Sequence, residues 1–172
     1  QKRNGALCVH VQSGKGGKTQ WQRVLPRDAG VVADTFKGIG KDERVFTAEE
    51  MHNRIDLHGV RAAHARQAYD YYLTRIKQEP DYRSQLQEDL KAYFREHHDP
   101  DHELDQAAYN RFCLDMTRNQ GIYQMRGEAK KLAEANDRPT IYDRTALMAT
   151  SVFHLAHWRL DVSVTNYLSY KV

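Results

Sequence analysis

"QSGKGGKTQ", residues 12–20, contains the last three residues of a phosphate-cradling loop, Gly17, Lys18 and Thr19. The spacing rules that loop out. The pattern G-x-x-x-x-G-K-[ST] needs its first glycine where Gln12 stands, and a helix after it. The chain instead continues as "TQWQRVLP", closed by Pro26. On the N-terminal side stands "ALCVHVQ", with Leu7, Val9 and Val11 on one face and Cys8, His10 and Gln12 on the other. A period of two marks a strand. The stretch therefore reads as a β-hairpin tip over residues 6–26, with Gly14, Gly16 and Gly17 allowing unusual backbone angles and Lys15 and Lys18 projecting. A solvated turn and a functional pair of lysines are both compatible with this tip.

Working outward, the remaining chain is helical in pattern. Residues 27–46 read as a helix or loop that connects. Thr47 and Glu50 stand at capping-box spacing. From about Val60 a strong helix is expected, with Val60, His64, Ala68, Tyr71 and Tyr72 near one face. Pro80 interrupts it. A further helix carries Leu86, Leu90, Tyr93 and Phe94. "HHDPDHELD" reads as a loop, one or two helices flank Gly121, and Pro139 precedes a helix over "YDRTALMATSVFHLAHW". The expected fold is α+β and mainly helical, a small antiparallel sheet near the N-terminus followed by a helical domain.

Composition narrows the function classes. The chain has 172 residues, a formal net charge of +3 and a mean hydropathy of −0.81. No apolar run approaches the ~20 residues of a membrane span. Cys8 and Cys113 fit a reducing compartment, so a cytoplasmic protein without a disulfide framework is expected. The charge permits nucleic-acid contact without demanding it. His97, His98, Asp99, Asp101 and His102 crowd together in one short stretch, but a solvated helix end explains them better than a metal site. Lys130, Lys131 and Arg138 suit either phosphate or water, and Tyr93, Phe94, Tyr109, Phe112 and Tyr123 read as core rather than as a base-stacking platform.

Three short motifs remain, and their order matters. After the "GKGGK" tip come His58 and Arg61, an H-x-x-R pair in "LHGVRAAHARQAY". Then comes "LAHWRLDVSVTNYL", with His157 ten residues before Tyr167. Together they resemble the tyrosine site-specific recombinases, the phage integrase family, over about residues 1–75 and 140–172. The resemblance implies that Lys15 is the hairpin lysine, with Lys18 a basic neighbour. It makes His58 and Arg61 the H-x-x-R pair and His157 the histidine of "LGH", with Ala156 in place of glycine. Tyr167 becomes the nucleophile, a better match than Tyr170, and Lys15, Lys18, Arg61 and Arg159 become DNA contacts. Ala62 stands where the family commonly has histidine, and His64 is not spaced to replace it.

The stretch from Arg61 to His157 is far longer than the family's usual link, so residues of about 75–140 are expected to be a helical insertion. The family's N-terminal DNA-binding domain and first catalytic arginine have no counterpart among these residues. The expectation is accordingly a catalytic-domain fragment, nearly inactive alone, of an enzyme that cuts and rejoins double-stranded DNA at an attachment site as a homotetramer, with no cofactor. A helical DNA-binding or protein-interaction module derived from such an enzyme, without its activity, is the other reading.

Overall fold

A computed structural model describes residues 1–12, 19–40, 43–47, 49–50, 56–97 and 103–169. The architecture is the expected α+β, mainly helical one. Strands β1 (Lys2–Arg3), β2 (Ala6–Val11) and β3 (Gln20–Arg23) form an antiparallel sheet in that order. The turn between β1 and β2 is Asn4–Gly5, with φ of 47° and 76°. Asn-Gly tolerates positive φ at both positions and matches strand twist, which makes it a favoured two-residue hairpin turn. Strand β1 precedes the hairpin read from the sequence. The β2–β3 hairpin pairs Cys8 with Arg23 and Val11 with Gln20. Its two faces are covered unevenly, with His10 exposed on the face that carries Cys8. Cys8 is the buried residue, while Leu7, Val9 and Val11 are only half covered. The tip carrying Lys15 and Lys18 lies outside the described residues.

Helix α1 (Ala29–Thr35) comes after a short 3-10 turn at Pro26–Asp28. The Thr47–Glu50 capping box forms reciprocally, Thr47 N–H donating to Glu50 at 2.7 Å and Glu50 N–H to Thr47 Oγ1 at 3.2 Å. The long helix α2 (Leu57–Gln78) buries Ala62, Ala65, Ala68 and Tyr72. Of the expected face, Ala68 and Tyr72 are buried and His64 and Tyr71 half-buried, while Val60 is 61% exposed. Alanines at three-residue spacing let α2 lie close against its neighbour, and they carry little weight in a pattern read from large side chains. Helix α3 (Tyr82–Glu96) buries Tyr82, Leu86, Leu90 and Tyr93.

Helix α4 (Gln106–Gly121) loses helical geometry at Arg118, and Asn119, Gln120 and Gly121 take φ of 51°, 57° and 77°. That left-handed run turns the chain into β4 (Ile122–Gln124), which pairs antiparallel with β5 (Ile141–Asp143) around α5 (Gly127–Ala135). This second sheet has no counterpart in the sequence pattern, since three residues are too few to display alternation.

Helix α6 (Arg144–His154) lies at the centre, and all of its residues are buried. A helix covered on every side belongs to the core. Asp143 caps it by accepting from Ala146 N–H at 3.0 Å, and Arg83 from α3 pairs with that carboxylate at 2.7 Å. Thr150 and Ser151 donate to the carbonyls of Ala146 and Leu147. Arg144 pairs with Asp115 of α4 at 2.7 Å. Thus α3 and α4, inside the stretch expected to be an insertion, share one core with α2 and α6. Helix α7 (Leu160–Ser163) and a single π turn, Val164–Leu168, complete the described chain.

At the end of α6 the imidazole of His154 is held between Tyr72 and His64. The Tyr72 hydroxyl is 3.0 Å from His154 Nε2, and His64 Nε2 is 3.1 Å from His154 Nδ1. Burial, and then the neighbouring His64 and Arg23, push the His154 pKa from 6.5 down to about 3, and burial lowers His64 in the same direction. The folded state therefore requires a neutral His154 that the unfolded chain would protonate below about pH 6.5. The stability this group supplies is whole above that pH and is lost as pH falls toward 3. One proton costs roughly 1.4 kcal/mol per pH unit in that window, so about 2 kcal/mol should disappear between pH 7 and pH 5. Urea midpoints at the two pH values check this, and His154→Asn should flatten the slope by about one proton while lowering stability at pH 7.

Candidate active site

The N-terminus of α2 and the C-terminus of α6 meet, and the π turn packs against α2. Asp56 caps α2 by accepting from Gly59 N–H at 2.9 Å. A Cβ at Gly59 would sit 2.3 Å from the Asp56 carboxylate, so the glycine of "HGVR" is what admits the cap. The cap starts the helix at Leu57 and places His58 and Arg61 on its exposed first turns, with Ala62 and Ala65 turned to the core.

Tyr167 lies on the π turn and is 8% exposed. Three side chains surround its ring. The imidazole of His58 stacks on it, centroids 5.2 Å apart and planes 25° apart. The His157 ring is 5.7 Å away, and its Nε2 is 3.3 Å from the Tyr167 hydroxyl. The Arg61 guanidinium carbon lies 5.3 Å from the ring centroid. Backbone contacts hold the same segment. His58 Nε2 is 2.8 Å from the Asn166 carbonyl, which can only accept, so His58 carries a proton on Nε2. Arg66 donates to the Tyr167 carbonyl at 3.4 Å, and Arg61 donates to that of Leu155.

His157 owes its place to the way α6 ends. Ala156 takes φ of +55°, and the N–H of the next residue, His157, donates to the Ser151 carbonyl at 2.9 Å. Helices commonly end on a left-handed residue, usually glycine because a Cβ is strained there. Ala156 accepts that strain, and it stands at the position where the resemblance to the recombinases expects glycine.

Of the residues singled out in the sequence, four meet: His58, Arg61, His157 and Tyr167. Arg159 is exposed and pairs instead with Asp161 at 2.6 Å. Lys15, Lys18 and Tyr170 lie outside the described residues, as do His98, Asp99, Asp101 and His102. His97 is stacked on Tyr93 with centroids 4.3 Å apart. Among the described residues no group of three or more His, Cys, Asp or Glu could hold a metal ion, and no helix is long and apolar enough to cross a membrane. Lys130 and Lys131 pair with Glu134 and Glu128. Arg66, which also touches the tyrosine segment, gives no signal in the sequence. It stands five residues after Arg61, and no local pattern distinguishes it from the other arginines.

Comparison with protein-family models, with curated proteins and with solved structures finds no significant match.

Relief of the strain at Ala156 is measurable. Ala156→Gly should raise stability by about 0.5–1 kcal/mol, the left-handed penalty less the extra freedom glycine gives the unfolded chain. Ala156→Val, whose branched Cβ fits that region worse, should lower it by more than about 1 kcal/mol. Thermal unfolding of the two variants tests the pair of signs.

Proposed function

We propose that this chain is catalytic machinery of a DNA strand-transfer enzyme of the tyrosine recombinase kind, which cuts and rejoins a phosphodiester through Tyr167. The observation that carries the reading is the gathering of two imidazoles and a guanidinium around one phenol, His157 Nε2 lying 3.3 Å from its hydroxyl. A phenol titrates near ~10 and is a weak nucleophile at neutral pH unless a neighbour takes its proton. His157, whose Nε2 lies at the hydroxyl, is the group placed to take it. The phenolic oxygen then attacks phosphorus, and a bond from Tyr167 to the 3′-phosphate forms as the bond to the 5′-oxygen breaks. The leaving oxygen receives a proton, in this reading from Lys15 on the hairpin.

The trigonal-bipyramidal transition state carries extra negative charge on its equatorial oxygens. Arg61 suits it because a planar guanidinium offers several N–H groups in fixed geometry. It can keep one on the Leu155 carbonyl and turn others to phosphate. His58, stacked on the same ring, is the second acid/base group of this reading. A 5′-hydroxyl from another strand reverses the sequence. The step exchanges one phosphodiester for another, so it needs neither ATP nor a metal. Double-stranded DNA is the partner, and four copies assembled on it make a complete exchange.

The test is adduct formation by the natural full-length protein on a pool of nicked duplexes of randomised sequence, in which the short cleaved strand diffuses away. A covalent protein–DNA adduct should form with the wild type and vanish with Tyr167→Phe. His157→Ala should slow it by roughly 10²-fold, the usual scale for a lost acid/base group. DNA binding itself should weaken steeply with salt, as phosphate contacts require. Salt-sensitive binding with no adduct under any condition would leave the inactive DNA-binding module as the surviving reading.

A further inference from the structure

Trp158 stands next to His157 on the irregular link between α6 and α7. At 42% exposure its indole is held by rings rather than by burial. Phe94 meets it edge-on at 5.3 Å and Phe112 edge-on at 5.6 Å. His97 and Tyr93 lie at 5.9 and 6.0 Å. These four come from α3, its C-terminal cap and α4. Phe94 and Phe112 are themselves stacked at 4.8 Å, so the cluster is a unit and not a set of separate contacts.

The same face of α3 reaches the hairpin. The Tyr93 hydroxyl donates to the Trp21 carbonyl of β3 at 2.6 Å. Asp89 pairs with Arg23 at 2.9 Å, and Glu96 pairs with Arg3 at 3.0 Å.

We infer that Trp158 is a positioning residue, anchored by the aromatic cluster of α3 and α4 so that the His157 imidazole stays against the Tyr167 hydroxyl. The inference rests on the reading of Tyr167 as the nucleophile. Its physical basis is the geometry of the link. Ala156 sits in a strained left-handed well, which favours departure from this path. His157 lies past the end of α6, its backbone tied to the helix through the bond from its N–H to the Ser151 carbonyl and its ring left to its neighbours. A bulky neighbour locked among four rings removes the freedom that the strained residue would release. A donor or base displaced by about 1 Å can lose on the order of 10²-fold in rate, so small movements at this link matter. Helices α3 and α4 are then more than surface additions, since one helix, α3, braces both the lysine hairpin and the histidine.

The experiment compares Trp158→Ala and Trp158→Phe with the wild type in the full-length protein. Two readouts are used, the NMR signals of ¹⁵N-labelled His157 without DNA and the adduct rate at saturating DNA. Trp158→Ala should shift or broaden the His157 signal and slow the adduct roughly 10- to 100-fold, with the half-saturating DNA concentration unchanged. Trp158→Phe should restore most of both. Phe112→Ala, on α4 and outside the tyrosine contacts, should reproduce the effect of Trp158→Ala, and it carries the test if Trp158→Ala fails to fold.

An unchanged His157 signal in Trp158→Ala and Phe112→Ala overturns the inference. So does weaker DNA binding with an unchanged saturating rate, which would make Trp158 a DNA contact. If the wild type forms no adduct, the recombinase reading fails by itself, and the His157 signal still decides whether Trp158 sets the ring.

Discussion

Helix α6 is buried along its whole length, and the rest of the fold is arranged around that constraint. Eleven buried residues in a row must be surrounded, and each neighbour covers a different side. Helix α2 lies along it through Ala62, Ala65 and Tyr72, α3 through Leu86, Leu90 and Tyr93, and α4 through Met116. Burial also forces its polar groups to find partners. Arg144 and Asp143 at its start tie it to α4 and α3, and His154 at its end ties it to Tyr72 and His64 of α2. An unpaired polar group at such depth costs about 1–3 kcal/mol, so these bonds set the register of each neighbour as well as adding stability.

The candidate site is a consequence of that register. The paired ends, Arg61 on the Leu155 carbonyl and Tyr69 on the Asp143 N–H, show that α2 and α6 run in opposite senses. The first turn of α2 is thereby brought to the last turn of α6. An α-helix N-terminus carries partial positive charge, and here it also bears His58 and Arg61. The chain leaving α6 must reverse, which it does through Ala156, and returns Tyr167 to the same place by way of α7 and the π turn. Single π turns inside helical segments recur at functional sites because the extra residue redirects a side chain.

How much of this is legible in the sequence depends on the length scale of each signal. Helices α2, α3 and α6 are each legible as helical stretches, α3 by the spacing of Leu86, Leu90, Tyr93 and Phe94. His58, Arg61, His157 and Tyr167 can be named because they stand in short motifs whose order resembles that of the recombinases. That they touch is a property of three dimensions, far apart as they are in the chain. Ala62 and Ala65 of α2 escape the pattern because alanine contributes little to a hydrophobic period, although both are fully buried. The burial of Cys8 in β2 escapes it because sheet alternation tells which residues share a face and not how deep each lies. The β4–β5 pair is invisible, two strands of three residues whose pairing depends on the left-handed turn at Asn119–Gly121.

The two histidines of the candidate site are placed differently. His58 uses Nε2–H on the Asn166 carbonyl and lays its ring on that of Tyr167, which suits holding the segment. His157 is the group at the hydroxyl, which suits taking its proton. An imidazole can hold one partner by a ring nitrogen while its face packs on another, so two histidines around one phenol need not duplicate each other. Arg61 obeys the same logic with more donors. Its bond to the Leu155 carbonyl fixes the guanidinium at the junction of α2 and α6, and a lysine, with one nitrogen, could not serve that carbonyl and a phosphate in the same plane. The two ends that the buried helix brings together are thus joined by the residue best suited to meet an anion between them.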